Sequence, residues 1–262
     1  MKFQIPIIIF LAVIFAGCGQ TSEIIRKDYK NENLLFGTHL FSFDIHLENI
    51  RNFEKASNLI ERLIYQNKNF DEYIAHIENG FTGKAGSEDY PPITEEDGTE
   101  YFYDSEIIMS YKIEYYNNSF IIVLYESYIF HSNGAHGNSG IRYFIIDIKE
   151  EKILGLYEIL NQIPEDILSK MIKEKYEISF YLREEFWPPD TININNANVE
   201  LIWNTYTITP YVYGTIHIEI PKKTARPYLT KKGRALITSI TDKNRKDKKK
   251  KNKNKEDKEL WD

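Results

Sequence analysis

Two histidines in a glycine-rich stretch near the middle of the chain are the side chains best suited to chemistry. The stretch runs from Tyr128 to Gly140 and reads Tyr-Ile-Phe-His-Ser-Asn-Gly-Ala-His-Gly-Asn-Ser-Gly. His131 and His136 could bind a metal ion together with Asp147, or one histidine could act as a base. A metal site needs three or four ligands, however, and the sequence has neither a His-Glu-x-x-His motif nor a cysteine pair. We therefore predict that the histidines shape a loop by hydrogen bonding, and that the chain is not an enzyme and has no metal or cofactor.

A second candidate surface is a short aromatic segment, in which Pro210 is followed by Tyr-Val-Tyr-Gly. Tyrosine supplies rigid contact area in protein interfaces, and glycine lets a partner approach the backbone. We predict that this segment and the glycine-rich turn form an exposed recognition edge. The predicted binding residues are His131, Asn133, Gly134, Ala135, His136, Gly137, Asp147, Tyr211 and Gly214.

The only cysteine, Cys18, follows a segment that is typical of export. Lys2 precedes an apolar run from Ile5 to Phe15, which is too short to cross a bilayer, because a spanning helix needs about 20 apolar residues. Phe-Ala-Gly-Cys then resembles the lipobox of bacterial lipoproteins, with phenylalanine where leucine is usual. We predict a signal peptide over residues 1–17, lipidation of Cys18 with fatty acids such as palmitate, and a tether over residues 18–38. The alternative is an ordinary signal peptide or a buried anchor with a chance cysteine.

Charge is unevenly distributed along the chain, whose formal net charge is −6. Residues 242–262 hold ten basic and six acidic side chains, so about −10 remains on the rest of the chain. We predict that residues 241–262 form a charged, disordered tail. The alternative is contact between its lysines and anionic phospholipid or wall polymer. Export to the envelope excludes a nucleic-acid partner.

The hydrophobic pattern predicts the elements that must position these residues. It indicates an α+β fold, in which an antiparallel β-sheet meander with packed helices forms one main domain over residues 39–240. Asn117-Asn118 indicates a hairpin, with the positive φ angles that a tight turn demands. Helices are predicted over residues 56–65 and 165–185. Strands are predicted over Leu40–Leu47, Ile107–Tyr116, Phe120–Phe130, Ile141–Ile148, Val199–Ile208 and Thr215–Ile220.

Two landmarks in this order resemble the extracytoplasmic RsiV-like domain, which also occurs in the non-catalytic portion of PdaC-type peptidoglycan deacetylases. The first landmark is the turn Asn133–Gly137, followed by a strand that ends at Asp147 and by the segment Leu156–Leu160. The second is the aromatic segment Tyr206–Gly214, followed by an isoleucine-rich strand that Pro221 closes. The resemblance runs from about Phe41 to Leu229.

The chain departs from the family pattern in ways that limit what the resemblance implies. Asn133 replaces the first glycine of the turn, and Asp147–Lys152 lacks the glycine of the usual Asp-x-x-Thr-Gly-Lys turn. No sigma-binding segment precedes Cys18, so an anti-sigma role is not implied. The resemblance does imply recognition outside the cell, which in the family includes binding of lysozyme. The deacetylase chemistry belongs to a different domain.

The sequence therefore predicts a lipid-anchored extracytoplasmic binding protein of the bacterial envelope, facing the periplasm or the cell exterior. Its expected partner is a lysozyme-like protein or peptidoglycan, and the acidic body suits a basic partner through electrostatic steering. The alternative is a cell-envelope hydrolase that uses His131, His136 and Asp147.

Overall fold

The computed structural model describes residues 22–36, 39–82, 93–94, 100–101, 103–131, 135–177, 187–195 and 197–241. Cys18, Asn133, Gly134 and residues 242–262 lie outside these ranges, so the predictions made for them stay predictions. The chain divides into two compact units. Unit 1 comprises Met1–Glu114 and Ile121–Ile153, and unit 2 comprises Tyr115–Phe120 and Leu154–Asp262. None of the described helices is both long and apolar enough to pass through a membrane.

Unit 1 is built around a six-stranded sheet with the order β1-β2-β5-β6-β7-β8. A separate pair, β3 and β4, is antiparallel. Two helices follow β2 in the chain: α1, Glu54–Leu63, and α2, Phe70–Thr82. The strands are β1 Glu23–Phe36, β2 His39–Arg51, β3 Ile93–Thr94, β4 Glu100–Tyr101, β5 Tyr103–Tyr116, β6 Phe120–His131, β7 Asn138–Asp147 and β8 Lys152–Ile153.

The predicted α+β class and meander are confirmed, and the sheet adds one parallel pair. Strands β5 to β8 are neighbours in chain order, whereas β2 pairs with β5 in parallel, with Phe43 opposite Ile107. Parallel neighbours need a long crossover connection. The segment that holds α1 and α2 supplies that connection here.

The hairpin between β5 and β6 is also confirmed, but it closes in a different way from the prediction. Neither Asn117 nor Asn118 is among the described residues with positive φ. Instead the side-chain Oδ1 of Asn117 accepts hydrogen bonds from the backbone N–H groups of Ser119, at 2.8 Å, and Phe120, at 2.9 Å. Asparagine thus shapes the turn with its side chain, as in an Asx turn.

Strand β2 shows why one face of the sheet is buried. Phe41, Phe43, Ile45 and Leu47 are all buried, while the residues between them are half-buried. This alternation is the pattern that the sequence predicts for a strand with one face on a core. Burying a side chain of this size contributes about 1.5–3 kcal/mol, so the four side chains fix which face of β2 packs inward.

Three buried tyrosines join the helices of unit 1 to its sheet. Tyr73 of α2 and Tyr111 of β5 share a hydrogen bond between their hydroxyl groups at 2.8 Å. Tyr65, just after α1, donates its hydroxyl proton to the backbone carbonyl of Glu48 in β2 at 2.6 Å. Burial raises the pKa of all three phenols, so they stay neutral over the physiological range. We refer to these three residues as the tyrosine cluster.

Unit 2 contains a three-stranded antiparallel sheet with the order β11-β10-β9, together with several short helices. Its core includes the fully buried Trp203, whose indole N–H donates to the carbonyl of Trp187 at 2.9 Å. The strands are β9 Thr191–Ile194, β10 Asn198–Trp203 and β11 Ile216–Pro221, and the α-helices are α3 Leu156–Ile159, α4 Glu165–Tyr176, α5 Lys222–Ala225 and α6, residues 231–241. Two 3₁₀ turns span Tyr211–Tyr213 and Arg226–Tyr228.

Positive backbone φ angles interrupt two predicted elements in unit 2. Within the helix predicted over residues 165–185, α4 ends at Tyr176, because Glu177 adopts a left-handed φ of 53° that a helix cannot continue through. Residues 178–185 of this prediction lie outside the described residues. The strand predicted over Val199–Ile208 ends at Trp203. Tyr206 has a φ of 71°, which breaks an extended strand.

Helix α6 lies against the backbone of α3 because Gly233 has no side chain. A Cβ atom at Gly233 would overlap with the carbonyl oxygen of Ile159. Thr230 strengthens this contact, since its hydroxyl donates to the carbonyl of Glu158 at 2.6 Å and its N–H donates to the carbonyl of Ile159 at 3.0 Å. The close contact between the backbones of α6 and α3 therefore depends on Gly233 and Thr230.

We predict that Gly233→Ala destabilises the protein by about 1–3 kcal/mol, because the new methyl group must push α6 away from α3. The matched control is Gly80→Ala in α2, where a Cβ atom would meet no atom within 4 Å. That substitution should stabilise the protein by up to about 1 kcal/mol through helix propensity. Urea unfolding of both variants measures the two effects, and equal stabilities would contradict the packing at Gly233.

Candidate functional site

His131 ends β6 and is tied to the neighbouring strand. Its Nδ1 atom lies 2.7 Å from the hydroxyl oxygen of Ser105 in β5. This serine–histidine spacing resembles that of an activated nucleophile. Ser105 is only 3% exposed, however, so its hydroxyl is enclosed and the pair serves to link two strand ends. The sequence gives no local signal for this partner, because Ser105 is 26 positions away.

The described part of the glycine turn presents His136 to solvent above a tightly packed glycine. His136 and Ala135 are exposed, and His136 Nδ1 lies 3.1 Å from the carbonyl oxygen of Gly137. Gly137 is buried, and a Cβ atom there would overlap with the ring of Tyr128. A larger residue at this position would have to displace the outer edge of the Tyr128 ring.

Asp147 has a structural task at the other end of β7. Its side chain is buried, and its Oδ1 atom accepts hydrogen bonds from the N–H groups of Lys149, at 2.9 Å, and Glu150, at 3.0 Å. Asp147 therefore closes the turn between β7 and β8. This turn is where the sequence lacks an expected glycine.

Glu151 takes the positive φ that glycine would take in this turn. Its φ is 55°, and two cations of α1 hold its carboxylate: Lys55 at 3.2 Å and Arg62 at 3.2 Å. Arg62 also donates to the backbone carbonyl of Glu151 at 3.0 Å. Hydrogen bonds from Lys55 and Arg62 lower the pKa of Glu151. The ion pairs are exposed and individually weak, but the arginine binds both the side chain and the backbone of the strained residue.

The structure does not bring His131, His136 and Asp147 together. His136 comes just before β7 and Asp147 is the last of its ten residues, so about 30 Å of extended strand separates them. Across the residues that the structure describes, no group of three or more His, Cys, Asp or Glu side chains is arranged to hold a metal ion.

In unit 2, Tyr206, Tyr211, Val212 and Tyr213 form an exposed apolar surface, which we call the aromatic corner. Val212 is 81% exposed, and the three tyrosines are each exposed by more than a third. The rings of Tyr206 and Tyr211 lie 5.7 Å apart. Large side chains that stay in water at one place on a surface are typical of interaction sites.

The backbone of the aromatic corner is held by local hydrogen bonds. Asp190 accepts hydrogen bonds at 2.7 Å from the N–H of Asn204 and from the hydroxyl of Thr207, which fixes the loop that carries Tyr206. The N–H of Gly214 donates to the carbonyl of Tyr211 at 2.8 Å. Gly214 has φ 62° and ψ −148°, a conformation that is almost confined to glycine.

One polar arrangement in unit 2 has no counterpart in the sequence predictions. His217 of β11 places Nδ1 2.7 Å from a carboxylate oxygen of Glu200 in β10. The hydroxyl of Tyr176 accepts a hydrogen bond from the N–H of His217 at 2.7 Å. His217 is paired with Ile202 in the antiparallel register, so it lies diagonally across from Glu200 on the same face. Only the register reveals this pair.

Comparison with known proteins finds a family model that matches part of the chain. Residues 149–223 match DUF3298, a protein family of unknown function. The DUF3298 match includes the aromatic corner and the His217–Glu200 pair, and it begins two residues after Asp147. The resemblance to the RsiV-like and PdaC-type domain stays a prediction. No match is found among proteins with curated descriptions.

Two solved structures of DUF3298 proteins are similar to this chain to different degrees. The crystal structure of a DUF3298 family member from Bacteroides fragilis is 14% identical, with a TM-score of 0.61, and the match covers 84% of this chain and 98% of that chain. A DUF3298 protein from Pseudomonas aeruginosa is 16% identical, with a TM-score of 0.49, and the match covers 80% and 94% of the two chains. The likeness to the Bacteroides protein, at this identity, shows a common fold.

We predict that Glu200→Gln flattens the acid dependence of stability. The hydrogen bond from His217 lowers the pKa of Glu200 below its usual 4.5. A carboxyl group with a lowered folded-state pKa stabilises the fold above the pKa of the unfolded chain, and this contribution is lost as pH falls through the lower folded value. Melting temperatures between pH 6 and about pH 3.5 should therefore fall less steeply for the variant. Parallel curves would contradict the assignment.

Proposed function

We propose that this protein is a lipid-anchored extracytoplasmic binding protein of the bacterial envelope, and that the aromatic corner is its recognition surface. The single observation that carries the proposal is the exposure of four neighbouring apolar side chains on a backbone that hydrogen bonds hold in place. A preformed surface loses little conformational entropy when a partner binds. Tyrosines on such a surface combine apolar area with a hydroxyl group, which favours their use as anchors.

A basic protein of the lysozyme type is the proposed partner, with peptidoglycan as the alternative ligand. The formal charge of about −10 outside residues 242–262 supports a cationic partner, because opposite charge speeds encounter. Ala135 and His136 supply an exposed surface of their own in unit 1. Binding is favoured over hydrolysis because β7 keeps Asp147 far from the two histidines.

We predict that Tyr211→Ala and Tyr213→Ala each weaken binding of hen-type lysozyme by about tenfold or more, as truncation of an interface anchor does. The matched control is Tyr157→Ala, which removes another tyrosine of unit 2, 63% exposed and outside the aromatic corner. Calorimetry at low and moderate salt measures the affinities, and binding should weaken as salt rises.

Three outcomes would change the proposal. Equal loss of affinity in the Tyr157→Ala control would show that the aromatic corner is not the site. Binding of peptidoglycan fragments alone would replace the lysozyme-like partner by a wall ligand. A protein that binds neither ligand would remove both partners. His136→Ala, measured alongside, reports whether the glycine turn takes part.

We predict that Cys18→Ser abolishes lipidation, because serine lacks the thiol that carries the lipid. The variant should remain uncleaved by the lipoprotein signal peptidase and should take up no labelled palmitate. Phe15→Leu, which restores the usual lipobox residue, is the matched control and should be processed like the wild type. Equal partitioning of wild type and Cys18→Ser into a detergent phase, with equal palmitate uptake, would contradict the anchor.

A further inference from the structure

A cationic pocket of about 380 Å³ lies between the last helices of unit 2. Its volume falls in the range of sites that bind small molecules. Helix α5 and the 3₁₀ turn after it provide three cations, and α6 provides one more together with two hydroxyl groups at the spacing of a single helix face. We use the name cationic pocket for the site formed by Lys222, Lys223, Arg226, Arg234, Thr238 and Thr241.

The cationic pocket lacks counter-charges among the residues that the structure describes. No Asp or Glu from the described ranges lines it. None of its four cations lies within ion-pairing distance of a described carboxylate, whereas Lys55 and Arg62 of unit 1 both pair with Glu151. Four like charges around one cavity repel each other. An anion in the cavity would offset that repulsion.

Lys222 is the best placed of the four cations. It is half-buried, and its ammonium group donates to the hydroxyl of Thr241 at 3.3 Å. Burial lowers the pKa of this ammonium group, with no carboxylate to oppose the effect. The hydroxyl of Thr241 donates a hydrogen bond to the carbonyl of Ile237 at 2.9 Å. Its oxygen can therefore accept the hydrogen bond from Lys222.

Helix α6 holds the other side of the cationic pocket in a fixed shape. Arg234 donates to the carbonyl of Leu229, which ties its guanidinium group to the start of the helix. Thr238 donates its hydroxyl proton to the carbonyl of Arg234 at 2.9 Å. These two hydrogen bonds hold the α6 side of the cationic pocket in place without a ligand. Such preorganisation favours binding of a small, charged group.

We propose that the cationic pocket binds a phosphate-bearing anion. Guanidinium groups match the oxygens of phosphate in pairs, and a lysine ammonium adds a compact positive charge. The phosphate could belong to a free compound or to the head group of an anionic phospholipid. This site is separate from the aromatic corner, and its test does not depend on the lysozyme result.

The experiment measures binding of inorganic phosphate and pyrophosphate to the full chain by calorimetry, with chloride at equal ionic strength as the reference. Lys222→Gln combined with Arg226→Gln should weaken pyrophosphate binding by about tenfold or more, because two charge-assisted contacts are lost. The matched control is Lys170→Gln combined with Lys173→Gln on α4, which changes the net charge equally and should leave binding unchanged.

A vesicle arm separates the two sources of phosphate. Flotation compares binding to phosphatidylcholine vesicles with and without phosphatidylglycerol. A lipid anchor would bind both kinds of vesicle, so the difference between them measures the binding that depends on anionic lipid. If the Lys222/Arg226 variant loses the binding to phosphatidylglycerol but keeps pyrophosphate binding, the ligand is a lipid head group. If it loses pyrophosphate binding but keeps vesicle binding, the ligand is a free phosphate compound.

Equal effects in the two double variants, or phosphate binding no stronger than chloride binding, would overturn the proposal. If the Lys222/Arg226 variant is less stable than the wild type, two further measurements decide. Lys223→Gln alters an exposed cation of the same pocket and should weaken binding in the same direction. Phosphate should also raise the melting temperature of the wild type above that in chloride, because a ligand that binds the folded state stabilises it.

Discussion

The need to satisfy buried phenol hydroxyls governs how unit 1 is assembled. A hydroxyl group that is buried without a partner costs about 1–3 kcal/mol, and the hydrogen bonds of the tyrosine cluster avoid this cost by joining the segment after α1 to β2 and α2 to β5. Strand β5 in turn carries Ser105, the partner of His131, and β6 beside it carries Tyr128, which lies on Gly137. Strand β5 therefore carries both a member of the tyrosine cluster and the partner of His131.

The two units carry different kinds of polar surface. In unit 1 most described lysines and arginines pair with a carboxylate, as in the contacts of Arg26 with Asp28 and of Lys112 with Glu114. Unit 2 keeps exposed tyrosines in the aromatic corner, and the cations of its cationic pocket form no ion pair with a carboxylate in the described part of the chain. Both features are costly for an isolated protein, and binding of a partner would offset the cost in each case.

Sequence patterns predict this fold where neighbouring residues decide the outcome, and fail where distant residues do. The alternation in β2 and the turn at Asn117 are local, and the strand and the hairpin follow from them. The parallel pairing of β2 with β5 and the diagonal contact of His217 with Glu200 depend on register, which no single segment encodes. The cationic pocket can be predicted from the sequence only in part. The spacing of Arg234, Thr238 and Thr241 marks one helix face, but only the packed structure shows which cations of α5 meet it.

The turn at Glu151 couples two distant parts of the chain, helix α1 and the turn between β7 and β8, so their residues should not evolve independently. A left-handed conformation costs a non-glycine residue about 1–2 kcal/mol, and Arg62 of α1 helps to hold Glu151 in it from 89 positions away. In a homologue with glycine at this place, the positive φ angle needs no support, so the residue equivalent to Arg62 is free to vary. The two positions should therefore covary across an alignment, with a cation facing this turn where the residue at this place is not glycine.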